Sequence, residues 1–274
     1  MTYNPLAASL IRDGNRVEFA RSLGIEPDPW QQRVLKDRSR RLCIVAGRQM
    51  GKSTVSAILA LWKASVFPNS TVLITAPSQR QALLLFQVIV DFYKKQSIEN
   101  KVPGDEVLKL RLELKNGSKI FALHGQERTL RGFTADLIIA DEAARLPDDG
   151  ALIQALSPAL STRGGTMMLI STPAGDVGYF RDCFYSPEWS SHRATVEECP
   201  RISEGFLASE RATMPSRIYE QEYECAFIAA PGAVFTTEEI DAAFTKEVLP
   251  VTVPSKVLPP QFLDPLQEQR RYDP

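Results

Sequence analysis

The sequence predicts an α/β chain built on a mostly parallel sheet flanked by helices, and three observations carry that expectation. Short apolar runs alternate with helix-like stretches between residues 42 and 172. Several of these runs are continuously apolar, as in strands covered on both faces. Two of them end at once in reactive side chains, "VAGRQMGKST" and "DLIIADEAAR", at the strand edge where open α/β sheets carry their ligands.

In chain order, an amphipathic opening precedes "EPDPWQQRVLKD", a turn followed by a short helix. "LCIVA" (42–46) is a buried strand, and a helix follows from about Gly51 to Ala64. "TVLITA" (71–76) is a second strand, after which Ser78 caps the long helix "QRQALLLFQVIVDFYKK". In "VLKLRLELKNGSKIFAL" (107–123), Leu108, Leu110, Leu112 and Leu114 alternate with polar residues. Asn116-Gly117 then supplies a two-residue turn, which makes this segment a β-hairpin. "DLIIAD" (136–141) and "TMMLIST" (166–172) are further strands, flanking a helix "DDGALIQALSPALS" that Pro158 shortens or kinks. From about Ser203 the pattern turns helical, and from Pro231 it becomes proline-rich and aperiodic. The expected organisation is a core over 1–200, a small α-rich lid subdomain over 201–232 and a linker or tail over 233–274.

Composition bounds the function. With 274 residues, 44% hydrophobic, 24% charged and a net charge of -1, the chain has no overall basic field, so nucleic-acid contact must come from local patches or many copies. No apolar run suits a membrane span, and the N-terminus lacks a secretory core. Cys43, Cys183, Cys199 and Cys225 form no C-x-x-C pair, and His124 and His192 add no metal spacing. A reducing intracellular compartment without zinc is expected.

The strand–loop–helix around "AGRQMGKST" is the setting of a phosphate-binding loop, although Ala46 stands where the first glycine of G-x-x-x-x-G-K-[ST] is usual. The nucleotide-binding set is Gly47, Arg48, Gln49, Met50, Gly51, Lys52, Ser53 and Thr54. Lys52 would reach the β/γ-phosphates and Ser53 would ligate Mg²⁺. Asp141 would also hold Mg²⁺, and Glu142 would act as general base on the attacking water. Ser171 and Thr172 end the last strand, expected beside the loop strand, with hydroxyls toward the γ-phosphate; strand-end turn chemistry explains them equally. Trp30 and Gln31 suit adenine by stacking and by a two-way carboxamide, while Trp30 packing beneath the first helix is the plainer alternative. Arg48 can reach the phosphates in cis, and Arg128 and Arg131 precede the acidic strand. "RVLKDRSRR" (33–41), with five basic residues against one aspartate, is a solvated helix end, with DNA contact as a second reading.

Taken together, "PWQQ", "AGRQMGKS", "TAPSQRQA", "LRGFTADLIIADEAA" and "LISTPAG" resemble the ATPase half of large terminases, the motors that package DNA into the proheads of tailed bacteriophages. The resemblance covers about residues 25–240, with "QEYECAF" (221–227) and "GAVF" (232–235) near its end. It implies a P-loop NTPase of the RecA-like (ASCE) kind that uses ATP and Mg²⁺. It makes Gln31 the adenine reader, Asp141-Glu142 the acidic pair, Ser171-Thr172-Pro173 the coupling motif, and Arg131 an arginine finger reaching a neighbouring subunit's site. The implied partners are double-stranded DNA, a portal protein and a small terminase subunit. The implied assembly is a pentameric ring, docked on the prohead portal in the host cytoplasm. Large terminases continue into a metal-dependent nuclease domain; this chain ends before any such aspartate cluster, so no nuclease activity is expected of it. The alternatives are a helicase-like or remodelling ATPase and, in another class, a non-catalytic module that ATP stabilises.

Overall fold

A computed structural model describes residues 15–96, 104–108, 110–124, 132–146, 149–229 and 242–243. By internal contacts the chain separates into Met1–Ala233 and Val234–Pro274; of the latter, Ala242 and Ala243 are described, helical and exposed.

Among the described residues of the first unit, α1 (Arg16–Ser22) and α2 (Pro29–Lys36) come first. Pro29 at the first helical position has the φ a helix needs and no N–H to waste, and Gln31 Oε1 accepts the Asp28 N–H at 3.0 Å. Strand β1 (Arg41–Ala46) leads through the loop into α3 (Lys52–Val66). β2 (Thr71–Ala76) leads into α4 (Gln79–Lys95), where Ser78 accepts the Gln81 N–H as N-cap.

The segment read as one hairpin is a three-stranded meander: β3 (Gly104–Leu108), β4 (Arg111–Leu114) and β5 (Lys119–His124), paired antiparallel in turn. The alternating leucines run through a tight reversal, with Leu108 opposite Arg111. The Asn116-Gly117 connection also differs from the expected two-residue turn. Gly117 N–H donates to Leu114 O, Leu114 N–H donates to Ser118 O, and only Gly117 has positive φ (+83°). This is a three-residue loop closed by a left-handed glycine. The Asn116 carboxamide bridges the turn and α3: Oδ1 accepts the Ser118 N–H, and Nδ2 donates to Ala64 O near the end of α3.

β6 (Leu137–Asp141), α5 (Asp149–Leu156), α6 (Pro158–Ser161) and β7 (Thr166–Ser171) follow. Pro158 breaks the expected helix in two at Ser157. α7 (Tyr179–Tyr185), β8 (Ser190–Ala194), α8 (Glu204–Thr213) and α9 (Ser216–Glu222) complete the unit.

The strand order is β3-β4-β5-β2-β6-β7-β1-β8, parallel from β5 to β8. β7 lies beside β1, as expected. Alternate residues of β1 feed two cores: Leu42, Ile44 and Ala46 face α1–α4, whereas Cys43 and Val45 face α5–α7. Double coverage explains the continuous apolar runs. α3 is buried on most of its surface, from Val55 to Ser65. Among the described residues, no helix is long and apolar enough to cross a membrane.

Candidate active site

The carboxyl ends of β1, β6 and β7 open together on a cavity of about 610 Å³. The β1–α3 loop forms one wall. Gln49 (φ 57°) and Gly51 (φ 85°) both take left-handed backbone, which curls the chain before α3 begins. Gly51 is under a double constraint: a Cβ there would lie 2.7 Å from Gln31 Nε2. Gly47 and Arg48 donate their N–H groups to Ala194 O and Glu222 O. The N–H groups opening α3 have no intrahelical acceptor, as at any helix start.

Lys52 folds back across the loop and donates to Ala46 O (3.2 Å) and Gly47 O (3.1 Å). Burial lowers its pKa, and the nearby charges of Glu142 and Asp141 partly offset this. Asp141 is pushed up to about 7, by burial first and by the Glu142 charge second. It is a carboxylate short of positive charge. Glu142 itself sits at φ 50°, ψ 42°, a conformation rare for a side chain of this size. That kink ends β6 and turns the carboxylate into the cavity, which it lines with Lys52, Ser53 and Thr172.

Sequence reasoning missed Arg145 and Glu222, which knit the site together. Arg145 Nη1 donates to Glu142 (3.0 Å) and to Thr172 Oγ1 (2.6 Å), and Nη2 donates to Glu222 (3.1 Å). Ser171 Oγ donates to Glu142 at 3.3 Å. Glu222 also accepts from Arg48 Nε at 2.9 Å. Arg145 carried no signal beyond following the acidic pair, and Glu222 lay inside "QEYECAF" with no chemical reason to stand out. Gln81 and Arg201 line the cavity as well; Arg201 donates to Asp28 and to Met50 O.

The remaining candidates fall in different places. Gln49, Met50 and Thr54 line the cavity as expected. Trp30 and Gln31, expected at the base, do not: they are 1% and 2% exposed. Trp30 packs in the core beneath α3, and Gln31 Nε2 donates to Gly51 O (3.3 Å) beneath the loop. Position N3 of a short capped helix directs that carboxamide at backbone. Arg128 and Arg131 lie outside the described residues. In the basic segment, Arg33 pairs with Glu198 and Arg41 with Glu188.

Known proteins of similar sequence and fold agree in kind. The family described as "Terminase large subunit, T4likevirus-type, N-terminal" matches residues 43–242. The large terminase subunit of Thermus virus P23-45 is 27% identical over 258 residues, covering 80% of this chain and 52% of that protein; the chain thus spans about half the length of that relative. The ATPase domain of the Thermus phage P74-26 large terminase superposes with a TM-score of 0.66 at 25% identity, covering 77% of this chain and 98% of that one. A large terminase from a thermophilic bacteriophage, solved with ADP, shares the fold at a TM-score of 0.60 and 13% identity, covering 73% of this chain and 54% of that one.

Proposed function

The chain belongs to the terminase large subunits of the T4-like type, matching their N-terminal region, and we propose that it hydrolyses ATP as the motor that drives double-stranded viral DNA into a prohead. One observation carries the reading: Lys52, Ser53, Glu142 and Thr172, from three strand ends, line a single cavity.

In this reading the triphosphate lies along the loop, and Lys52 exchanges its two carbonyl partners for β- and γ-phosphate oxygens. Glu142 takes a proton from water as the water oxygen bonds to the γ-phosphorus and the bond to the ADP oxygen breaks. Arg48 offsets the developing charge. Ser171 and Thr172 bear on Glu142 directly and through Arg145, so a change at the γ-phosphate is felt at the end of β7. Gln31 braces the loop from below, and Gln81 and Arg201 are the polar groups available to the rest of the nucleotide.

The donor set suits Mg²⁺: a hydroxyl at Ser53 and a buried, charge-starved carboxylate at Asp141 are hard oxygen ligands. When bound, Mg²⁺ neutralises charge on the phosphate oxygens. A pentameric ring at the portal, a small-subunit partner, location in the host cytoplasm and a trans-acting Arg131 follow from the family and belong to this proposal.

The test is single-turnover hydrolysis of ATP with DNA present. Glu142→Gln should bind nucleotide yet lower the rate by about 10²- to 10⁴-fold, and Lys52→Ala should lose binding. Near-normal turnover in the Glu142 variant would remove the assignment. Mixing Arg131→Ala with Glu142→Gln should restore part of the activity if the finger acts between subunits.

A further inference from the structure

The strands that end at the nucleotide cavity also begin together. At the opposite end of the sheet, Leu42, Leu137 and Thr166, near the starts of β1, β6 and β7, line a second cavity of about 100 Å³ with Arg16 of α1 and Trp62 and Lys63 of α3. Arg16 and Lys63 are half-buried, and among the described residues neither has a carboxylate within ion-pair distance. Arg16 lays its guanidinium 4.5 Å from the centre of the Trp62 ring and gives Nη1 to the Asp37 backbone carbonyl at 2.6 Å. Lys63 Nζ lies 4.2 Å from the centre of the Phe67 ring. Two further donors, Arg16 Nε and Trp62 Nε1, are shut off from solvent and have no acceptor. Asp136, the acid lining the cavity, is engaged elsewhere: Oδ2 accepts from the Thr71 N–H and from Arg163 Nη1, both at 2.8 Å. Burial first, and then the Arg38 charge, lower Arg16 to about 10; burial also lowers Lys63, which Asp136 opposes. Both cations are short of negative charge.

From this wall of unmatched donors we infer that the cavity binds one oxyanion of the phosphate class, held by Arg16, Lys63 and the Trp62 indole N–H, apart from the nucleotide loop. Buried cations and buried N–H groups are ordinarily paired, because an unmet one keeps the full cost of leaving water. Here an ammonium, a guanidinium and an indole N–H share one small space, with the Thr166 hydroxyl beside them. All can donate to oxygen, and the chain supplies no free carboxylate to receive them. A tetrahedral oxyanion brings negative charge and several acceptor oxygens at once, and charge-assisted bonds to it are the strong kind. The cavity has room for one such group and none for a nucleoside beside it. A free inorganic phosphate and a phosphate of a nucleic-acid backbone present the same chemistry. In either case the bound anion ties α1 to the end of α3, because its ligands come from both helices.

The Trp62 indole proton tests this directly, in ¹⁵N–¹H spectra of the full chain with Trp62→Phe identifying its signal. Inorganic phosphate, added at constant ionic strength and with ADP present to occupy the loop, should move that proton downfield and saturate, whereas chloride should not. Lys63→Gln and Arg16→Gln should each weaken the response about tenfold, as loss of one charge-assisted hydrogen bond implies. Lys63→Arg should restore part of it. A short DNA duplex that moves the same proton at far lower phosphate concentration assigns the group to a nucleic-acid backbone; a duplex that leaves it in place assigns free phosphate. A cavity that holds water only gives no saturable movement with phosphate or with duplex. That result, or a movement of wild-type strength in a Lys63→Gln chain that melts like the wild type, overturns the inference. Either outcome leaves the nucleotide reading standing, because nucleotide binding is measured at the other end of the sheet.

Discussion

Gly51 concentrates at one residue what the loop demands. It caps α3 at φ 85° and leaves no room for a Cβ beside Gln31. Gly51→Ala should lower stability by about 1–3 kcal/mol and weaken nucleotide binding, since relief requires moving Gln31 or the loop; thermal melting with and without nucleotide measures both effects. The unusual glycine spacing of this loop is also intelligible at this scale. Ala46 is the last residue of β1, buried in the core on ordinary strand backbone that needs no glycine, while Gly47 allows the close approach of Tyr223 O. Glu142 shows the converse: a non-glycine residue held in left-handed backbone by Arg145 and Ser171. Its place at the end of a buried strand was legible from "DE" after an apolar run. Its anchoring was not, because Thr172 and Glu222, which share Arg145 with it, are remote in sequence.

The elements most visible in the chain were those buried on both faces: β1, β2, β6 and β7 were placed to within a residue or two by apolar runs alone. The least visible was β8, "SSHRA", an edge strand whose first four residues alternate between half-buried and exposed and in which Ala194 alone is buried. It is held by pairing to β1 and by Asp37, which accepts from Ser190 Oγ (2.5 Å) and meets His192 Nε2 at 2.8 Å. Burial pushes the Asp37 carboxyl up, but hydrogen bonds from Ser190, Ser39 and His192 outweigh that and hold it well below the usual range. A depressed carboxyl stabilises fully above its unfolded pKa of about 4 and loses that contribution as pH falls below it. Asp37→Asn should therefore cost about 1 kcal/mol near neutral pH, allowing for solvent screening. Its denaturation midpoint should fall less steeply than that of the wild type below about pH 4, as urea titrations at several pH values would show.

At the scale of the whole molecule, all four cysteines are buried and none is in a disulfide. Burial raises the Cys43 thiol, with Cys183 adding to it, and pushes Cys225 up to about 12. Since the thiolate is the reactive form, the folded chain should react slowly with a thiol reagent near neutral pH, and all four should label at once on unfolding. A fast-labelling thiol in the native chain would contradict the packing of both cores. Those cores divide what was legible from what was not. The sequence by itself determined the layered α/β architecture, the loop lysine and the acidic pair, because strand periodicity, double-sided burial and phosphate chemistry are written in contiguous residues. Only the tertiary structure decided that Trp30 is buried in the core and Gln31 holds the loop from beneath, that Arg145 joins Glu142 to Thr172, and that Glu222 closes on Arg48. Each of these depends on which strand ends and helix ends meet, and pairing of charges across such distances in the chain leaves no local pattern to read.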